Sequence, residues 1–199
     1  MSVRLAGGLV VCTRHRADNG KLSPNGLIMS EHQGNKLTGE WRPTSEMAMH
    51  LAGYQVRADV GALIHAHPPT ATGFTGASTP LYQLNLPEPV LWLGPVGFVP
   101  YAAPGSNQLA ESVSQHVATH ETLLRESQGV LTVGSDLLQA AERMELVEHC
   151  ARATLVTRQL GRVFRLSSGE IEELLVIRRR YRHPITPWWK QVKFYSPEL

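Results

Sequence analysis

The feature that most constrains this fold is an apolar run that ends in two histidines and two prolines. Residues 61–69 read Gly-Ala-Leu-Ile-His-Ala-His-Pro-Pro, which predicts a strand over 62–67 that stops at Pro68. Side chains two apart in a strand share one face, so the imidazoles of His65 and His67 can converge on one ion. Imidazole is the commonest ligand for divalent transition metals. A His-x-His pair alone is more often two ordinary surface or core histidines than a metal site. The assignment therefore depends on the residues around it.

The segment before this strand predicts a helix that brings a carboxylate to the histidines. Thr44 or Ser45 can cap the first free amides, and Glu46 suits the positive end of the helix. A helix over 45–57 is roughly 18 Å long and a strand over 62–67 covers about 20 Å, so the end of the strand returns beside the first helical turn. We therefore expect Glu46 near both imidazoles, as a third ligand or as a base that moves a proton.

Helical and extended patterns alternate along the rest of the chain. Residues 90–101 predict short strands around a tight turn, and 122–125 with 129–133 are interpreted as two halves of one interrupted strand. Further helices are predicted to start after Ser106 or Asn107, to run from Asp136 to Gly161, and to begin at a capping box formed by the Ser and Glu of residues 167–170. The fold class is therefore α/β, with helices covering a sheet.

Composition narrows the kind of protein. A chain of 199 residues with 42% hydrophobic and 18% charged residues, and no stretch that resembles a linker, predicts one folded domain. The formal net charge of +2 is too small to indicate a nucleic-acid partner. Cys12 and Cys150 lie in unlike contexts, which favours reduced thiols. No run is long enough for a signal peptide or a membrane span. We expect a cytoplasmic protein.

Several separated segments carry a more specific signal. They are Arg-Pro-Thr-Ser-Glu at 42–46, Ala-Asp-Val-Gly-Ala-Leu-Ile-His-Ala-His-Pro-Pro at 58–69, Val-Pro-Tyr-Ala-Ala-Pro-Gly at 99–105, Gly-Val-Leu-Thr-Val-Gly at 129–134 and Met-Glu-Leu-Val-Glu-His at 144–149. In this order they resemble the class II aldolase/adducin family, with its fuculose-phosphate aldolases and ribulose-phosphate epimerases. The resemblance implies a single-domain three-layer α/β/α sandwich whose central sheet is mixed and largely antiparallel.

The same resemblance implies a function and a site. His65 and His67 would be metal ligands, Glu46 a ligand that also acts as general acid/base, and Thr44 and Ser45 would help to hold the phosphate or carboxylate of the substrate. The implied protein is a metal-dependent carbon–carbon lyase, an aldolase or a decarboxylase, that works through an enolate or enediolate. Its ion would be zinc, with manganese, cobalt and iron as alternatives. It would form a homotetramer with active sites near subunit interfaces.

The chain departs from the family at the third metal ligand. The family pattern before Gly129 is Asn-His-Gly, whereas this sequence has Ser127 and Gln128 there. The amide oxygen of glutamine matches zinc less well than an imidazole nitrogen. Three interpretations stay open: Gln128 is a weak ligand, His50 or His120 substitutes for it, or the site no longer holds a metal ion tightly.

A second departure concerns anion recognition. The family has an N-terminal helix and a Gly-Asn loop ahead of Ser-Val-Arg, and here Met1 directly precedes those residues. The family turn Thr-Pro-Ser-Gly is replaced by Thr-Arg-His-Arg at 13–16. Thr13, Arg14 and Arg16 are candidate substrate-binding residues because guanidinium suits carboxylate and phosphate. A solvated basic turn is the alternative.

The C-terminal part supplies two further hypotheses. Tyr181 lies at the position where related aldolases carry a tyrosine that donates a proton in a neighbouring subunit, although a charged helix end would explain its surroundings as well. Trp188 and Trp189 belong to a tail over 184–199 and are expected to pack on another subunit.

Two functions compete with the lyase. A non-catalytic, adducin-like binding or scaffold protein with a degraded metal site would account for Gln128 and the unmatched front loop. A non-haem iron enzyme is the other, because two histidines and one carboxylate also suit iron.

Overall fold

The fold is built on one sheet, which we describe from a computed structural model covering residues 1–81, 86–161 and 164–181. Within these ranges the sheet has eight strands: Ser2–Arg4 (β1), Leu9–Thr13 (β2), Leu27–Glu31 (β3), Lys36–Thr38 (β4), Ala62–Ala66 (β5), Val96–Val99 (β6), Thr122–Arg125 (β7) and Gly129–Gly134 (β8). Their spatial order is β4-β3-β2-β1-β5-β8-β7-β6. Only β6 and β7 pair in parallel, so the sheet is mixed and largely antiparallel.

Helices cover both faces of this sheet. They are Met47–Val56 (α1), Pro69–Gly76 (α2), Asn107–Val117 (α3), Leu137–Gln159 (α4) and Ser168–Arg180 (α5). On one face Met49 and Val113, from α1 and α3, pack with Leu63 of β5. On the other face Phe74 and Val147, from α2 and α4, form a second core. The three-layer α/β/α architecture is confirmed. None of the described helices is long and apolar enough to cross a membrane.

Most predicted helix starts are correct because capping is local chemistry. Asp136 accepts a hydrogen bond from the Gln139 amide, and Ser167 with Glu170 forms the predicted capping box. The start of α1 differs from its prediction. Glu46 is the N-cap but makes no side-chain cap, and Thr44 Oγ1 accepts from the Glu46 amide at 3.4 Å. The Glu46 carboxylate is therefore available to the site rather than to its own helix.

Two predicted strand patterns are wrong. Residues 122–134 form an antiparallel hairpin, not one interrupted strand, and residues 89–93 form a π-helical turn before β6. Positive φ angles at Ser127 (56°) and Gly129 (77°) reverse the chain between β7 and β8. A Cβ at Gly129 would lie 2.5 Å from the Ala66 carbonyl oxygen, so glycine lets this turn sit against the end of β5.

The helix α1 and the strand β5 form the predicted helix–turn–strand unit. Gly61 ends its turn, and a Cβ there would lie 2.0 Å from the Ser135 carbonyl oxygen, so only glycine fits. The first turn of α1 is tied to β1, where Ser2 Oγ lies 2.7 Å from Nδ1 of His50 and 2.9 Å from Oη of Tyr54. The N-terminal end of α1 therefore lies beside the last residues of β5, as the lengths of the two elements predicted.

Candidate active site

A cavity of about 440 Å³ opens where the start of α1, the end of β5 and the turn after β2 meet. Most of the side chains predicted from sequence line it: Thr13, Arg14, Arg16, Thr44, Ser45, Glu46, His65 and His67. They come from three separate parts of the chain. The fold therefore brings the predicted ligands and the predicted anion-binding residues into one cavity.

Glu46 and the two histidines face one another in this cavity. Nε2 of His65 lies 3.0 Å from Oε2 of Glu46 and 3.3 Å from Nε2 of His67. Nδ1 of His65 lies 2.9 Å from the carbonyl oxygen of Val130, to which it donates its proton. In the neutral ring, Nε2 is then an acceptor with one lone pair directed at the cluster.

The surroundings of His65 and Glu46 keep the imidazole neutral and the carboxylate ionised. Burial lowers the pKa of His65 to about 4, although the Glu46 charge opposes this. For Glu46, burial alone would raise the pKa, but the hydrogen bond from Arg125 and the nearby positive charges hold it below its usual value. At neutral pH the cluster therefore presents lone pairs and a negative charge.

Sequence reasoning missed Arg125, which supplies the positive charge of this cluster. It ends β7 and is 1% exposed. Its Nη2 donates to Oε1 of Glu46 at 2.9 Å and to Oε1 of Gln128, and its Nη1 lies 3.2 Å from Nε2 of His65. The missed signal was an arginine at the end of the apolar strand Thr-Leu-Leu-Arg. Such a residue is almost never buried without a charged or polar partner.

Gln128 belongs to this cluster through Arg125. Its Oε1 accepts from Arg125, and its Nε2 donates to the Ala102 carbonyl oxygen at 2.6 Å. The proposed substitutes for the third imidazole have other partners. His50 lines the cavity but is bonded to Ser2, whereas His120 contacts Thr119 and His116 on α3 and its C-terminal end.

The side chains of Glu46, His65 and His67 are candidate ligands for a divalent ion. Two imidazoles and one carboxylate are the ligands that zinc and related ions prefer. Across the described ranges, however, no three His, Cys, Asp or Glu side chains are already arranged to hold an ion. The guanidinium of Arg125 lies against two of the three donors. The donors fit a metal ion in kind, but the Arg125 guanidinium already contacts two of them.

A basic rim lies at the other side of the cavity. The Arg14 guanidinium stacks over the Trp41 ring at 4.9 Å, and Arg16 is exposed with a φ of 55°. The Thr44 amide donates to the Thr13 carbonyl oxygen at 3.2 Å, which holds the two rim segments together. This rim suits the anionic group of a substrate.

Tyr181 lies outside this cavity. It is 57% exposed, packs on Trp92 with ring centroids 4.8 Å apart, and lines a separate cavity of about 260 Å³ with Arg57, Glu121 and Arg143. Tyr181 and Glu46 thus line different cavities of the chain. Trp188 and Trp189 lie outside the described residues.

Comparisons with known proteins agree with the fold. The sequence model of a family described as Class II Aldolase and Adducin N-terminal domain matches residues 1–155. The chain is 32% identical over 179 residues to 3-oxo-tetronate 4-phosphate decarboxylase of Haemophilus influenzae, covering 87% of this chain and 84% of that protein. It is 31% identical over 142 residues to L-fuculose phosphate aldolase of Methanococcus maripaludis, covering 71% and 76%.

Solved structures show the same similarity. An L-fuculose 1-phosphate aldolase superposes with a TM-score of 0.82 at 27% identity, over 92% of this chain and 84% of that one. A putative aldolase/epimerase/decarboxylase from Escherichia coli superposes with a TM-score of 0.80 at 27% identity, over 87% and 84%.

Proposed function

The chain belongs to the class II aldolase and adducin family, and we propose that the cavity around Glu46, His65 and His67 is its active site. The protein is a class II aldolase-like lyase, of a family that is generally dependent on a divalent metal ion. One observation carries the assignment of the site: Nε2 of His65 lies 3.0 Å from the Glu46 carboxylate and 3.3 Å from Nε2 of His67, in a cavity whose rim carries Arg14 and Arg16.

Glu46, His65 and His67 are the residues that would hold the metal ion. Zinc would suit this set, because catalytic zinc sites use imidazole and carboxylate ligands; manganese, cobalt and iron would be the alternatives. A bound divalent ion would polarise substrate oxygen atoms and stabilise an enolate.

The basic rim orients the substrate. Arg14 and Arg16 bind its phosphate or carboxylate, and the hydroxyl groups of Thr13, Thr44 and Ser45 add neutral donors. The anionic end of a small oxygenated substrate is then held at the rim, and its reacting carbons lie toward Glu46. Two positive charges at the rim favour substrates that carry phosphate or carboxylate over neutral sugars.

Glu46 moves the proton. Its lowered pKa keeps it ionised at neutral pH, so it can accept a proton from a substrate hydroxyl group. In an aldol cleavage that hydroxyl becomes a carbonyl as the carbon–carbon bond breaks, and the electron pair passes to the enolate. In a decarboxylation the bond to the carboxylate breaks and carbon dioxide leaves with the same enolate remaining. The enolate carbon takes back the proton held by Glu46 after an aldol cleavage and takes a proton from water after a decarboxylation, so one site can serve both reactions.

We propose a homotetramer in which Tyr181 reaches the cavity of a neighbouring subunit as a proton donor. Two observations support this: Tyr181 is largely exposed, and it lines a different cavity from Glu46 within its own chain. A cytoplasmic location is proposed because both cysteines of the chain, Cys12 and Cys150, are unpaired thiols. The lyase is preferred over the scaffold and the iron enzyme because the similar proteins are named as aldolases and a decarboxylase.

A substrate panel tests the proposed function. Purified protein is assayed with sugar phosphates, the matching unphosphorylated sugars and phosphorylated keto acids, with and without added zinc or manganese. We expect cleavage or release of carbon dioxide from a phosphorylated or carboxylated compound, and loss of turnover in His67→Ala. As a matched control, His149→Ala changes a histidine of α4 that does not line the cavity. Equal activity of His67→Ala and wild type would contradict the proposed site.

A further inference from the structure

The acceptor atoms around His65 favour a positively charged partner, and the protein supplies the Arg125 guanidinium. Glu46 contributes a carboxylate, and His65 contributes the Nε2 lone pair, because its Nδ1 is bonded to the Val130 carbonyl oxygen. The guanidinium of Arg125 bonds to both of these groups. It is permanently protonated and almost completely buried, and within the described residues its Nε has no hydrogen-bond partner.

A metal ion and the Arg125 guanidinium would both use the same lone pair, that of Nε2 of His65. Nε2 of His65 has a single lone pair, which can accept an N–H from Arg125 or bind an ion, but not both. A ligated zinc ion would lie about 2.0–2.2 Å from the nitrogen and from the Glu46 oxygen. It would then fall beside two N–H groups that already point at those atoms, and like charges would meet in a buried site.

Gln128 holds the guanidinium in this position. Its amide is oriented by the hydrogen bond from Nε2 to the Ala102 carbonyl oxygen, which turns Oε1 toward Arg125. An amide oxygen accepts from a guanidinium and remains neutral, so it adds a partner for Arg125 without adding charge. Gln128 is in this sense a positioning residue for Arg125.

We propose that Arg125 is the resident cation of the site and competes directly with a divalent metal ion for Glu46 and His65. An ion binds only when the Arg125 guanidinium leaves, and Gln128 opposes that departure. The inference rests on the proposed function only for the identity of the ligands. Its test measures ion binding without substrate, so a failure of the lyase assignment and a failure of the competition are separate results.

Calorimetric titration with cobalt(II) and zinc tests the competition in the full chain. Arg125→Met removes the guanidinium and keeps an unbranched stem, and we expect its ion affinity to rise by about tenfold or more. Arg152→Met is the matched control, because Arg152 is an exposed arginine of α4 paired with Glu148. It removes the same charge far from the site and should leave the affinity unchanged. Equal or weaker ion binding by Arg125→Met would overturn the proposal.

Gln128→Ala tests the same proposal independently, because the two roles of Gln128 predict opposite signs. If Gln128 positions Arg125, its loss frees the guanidinium and the ion binds severalfold more tightly. If Gln128 is a metal ligand, its loss weakens ion binding, which contradicts the proposal.

Should Arg125→Met fail to fold, wild-type protein provides a further measurement. Saturation with zinc should shift the Nε–Hε resonance of Arg125, identified by its disappearance in Arg125→Lys. An unmoved resonance with zinc bound at His65 would overturn the competition.

Discussion

The strand β7 has a buried ionic cluster at each end, and the two differ in their balance of charged groups. At its end, one guanidinium from Arg125 serves a carboxylate, an imidazole and an amide. Just before its start, one carboxylate from Glu121 serves three guanidiniums, those of Arg57, Arg143 and Arg178. Four residues of strand, about 13 Å, separate them.

This difference separates the candidate active site from a cluster that fixes helices to the sheet. Around Glu121 the arginines also bind main-chain carbonyl oxygens: Arg143 binds that of Val133, and Arg178 those of Val90 and Leu91. Their donors tie α4 and α5 to the sheet. Both clusters border a cavity, but at the Arg125 end the side chains that line it are the acceptor groups of Glu46 and His65. Acceptor groups beside a cavity can take a proton, an ion or the donors of a substrate.

The largest expected effect is on catalysis at the Arg125 end. Glu46→Gln keeps the shape but removes the charge, and we expect kcat to fall by about 10²–10⁴ because a general base is lost. Steady-state kinetics with the substrate found by the panel measure this. Stability should fall as well, because the buried Arg125 guanidinium loses its carboxylate partner, so kcat is compared only after circular dichroism shows a folded protein. Unchanged kcat in a folded Glu46→Gln protein would remove Glu46 from the mechanism.

At the Glu121 end of β7, substitution of the carboxylate should lower the stability of the folded protein. Glu121→Gln removes a carboxylate that the buried Arg143 and Arg178 guanidiniums share, and we expect a loss of about 3–5 kcal/mol in the free energy of unfolding. Urea denaturation measures it, and Glu142→Gln, an exposed carboxylate of α4, is the control with an expected change within about 0.5 kcal/mol. A Glu121→Gln protein as stable as wild type would contradict the structural role of this cluster.

Lowering the pH should reduce the free energy of unfolding through His65 and Glu46, in the cluster around Arg125. The pKa of His65 falls from 6.5 to about 4 on folding, so the unfolded chain binds the extra proton first as pH falls. Stability should therefore decline from about pH 6.5 toward pH 4, and the lowered pKa of Glu46 extends the loss in the same direction. Unfolding free energies of wild type and His65→Asn across this range isolate the His65 part. Parallel curves for the two proteins would count against it.

The smallest effect should lie at the cavity rim. Arg16 is exposed, so its attraction for an anionic substrate is screened. We expect Arg16→Gln to raise KM by about three- to tenfold with kcat nearly unchanged. Arg42→Gln, an exposed arginine that does not line the cavity, should leave KM as it is. Equal effects of the two changes would mean that the rim attracts substrate only through general charge.

The local parts of this protein could be read from its sequence. The caps at Asp136 and Ser167 depend on residues three positions apart, and the His65 and His67 pair depends on the two-residue repeat of a strand. The family and the lyase class followed from motifs in several separated segments and are confirmed. The α/β class followed from the alternation of elements and is confirmed as well.

The tertiary structure alone decided which residue completes the cluster. Arg125 and Glu46 are 79 positions apart in the chain, and no periodicity connects them. Their contact depends on a hairpin between β7 and β8 that the sequence pattern hid, since both strands are apolar and buried and read like one. Apolar patterns record that a segment is buried, because burial is set residue by residue. Apolar patterns do not record which strand a segment pairs with, because the packing of the whole chain selects that partner. In this protein the packing placed the Arg125 guanidinium among the predicted metal ligands.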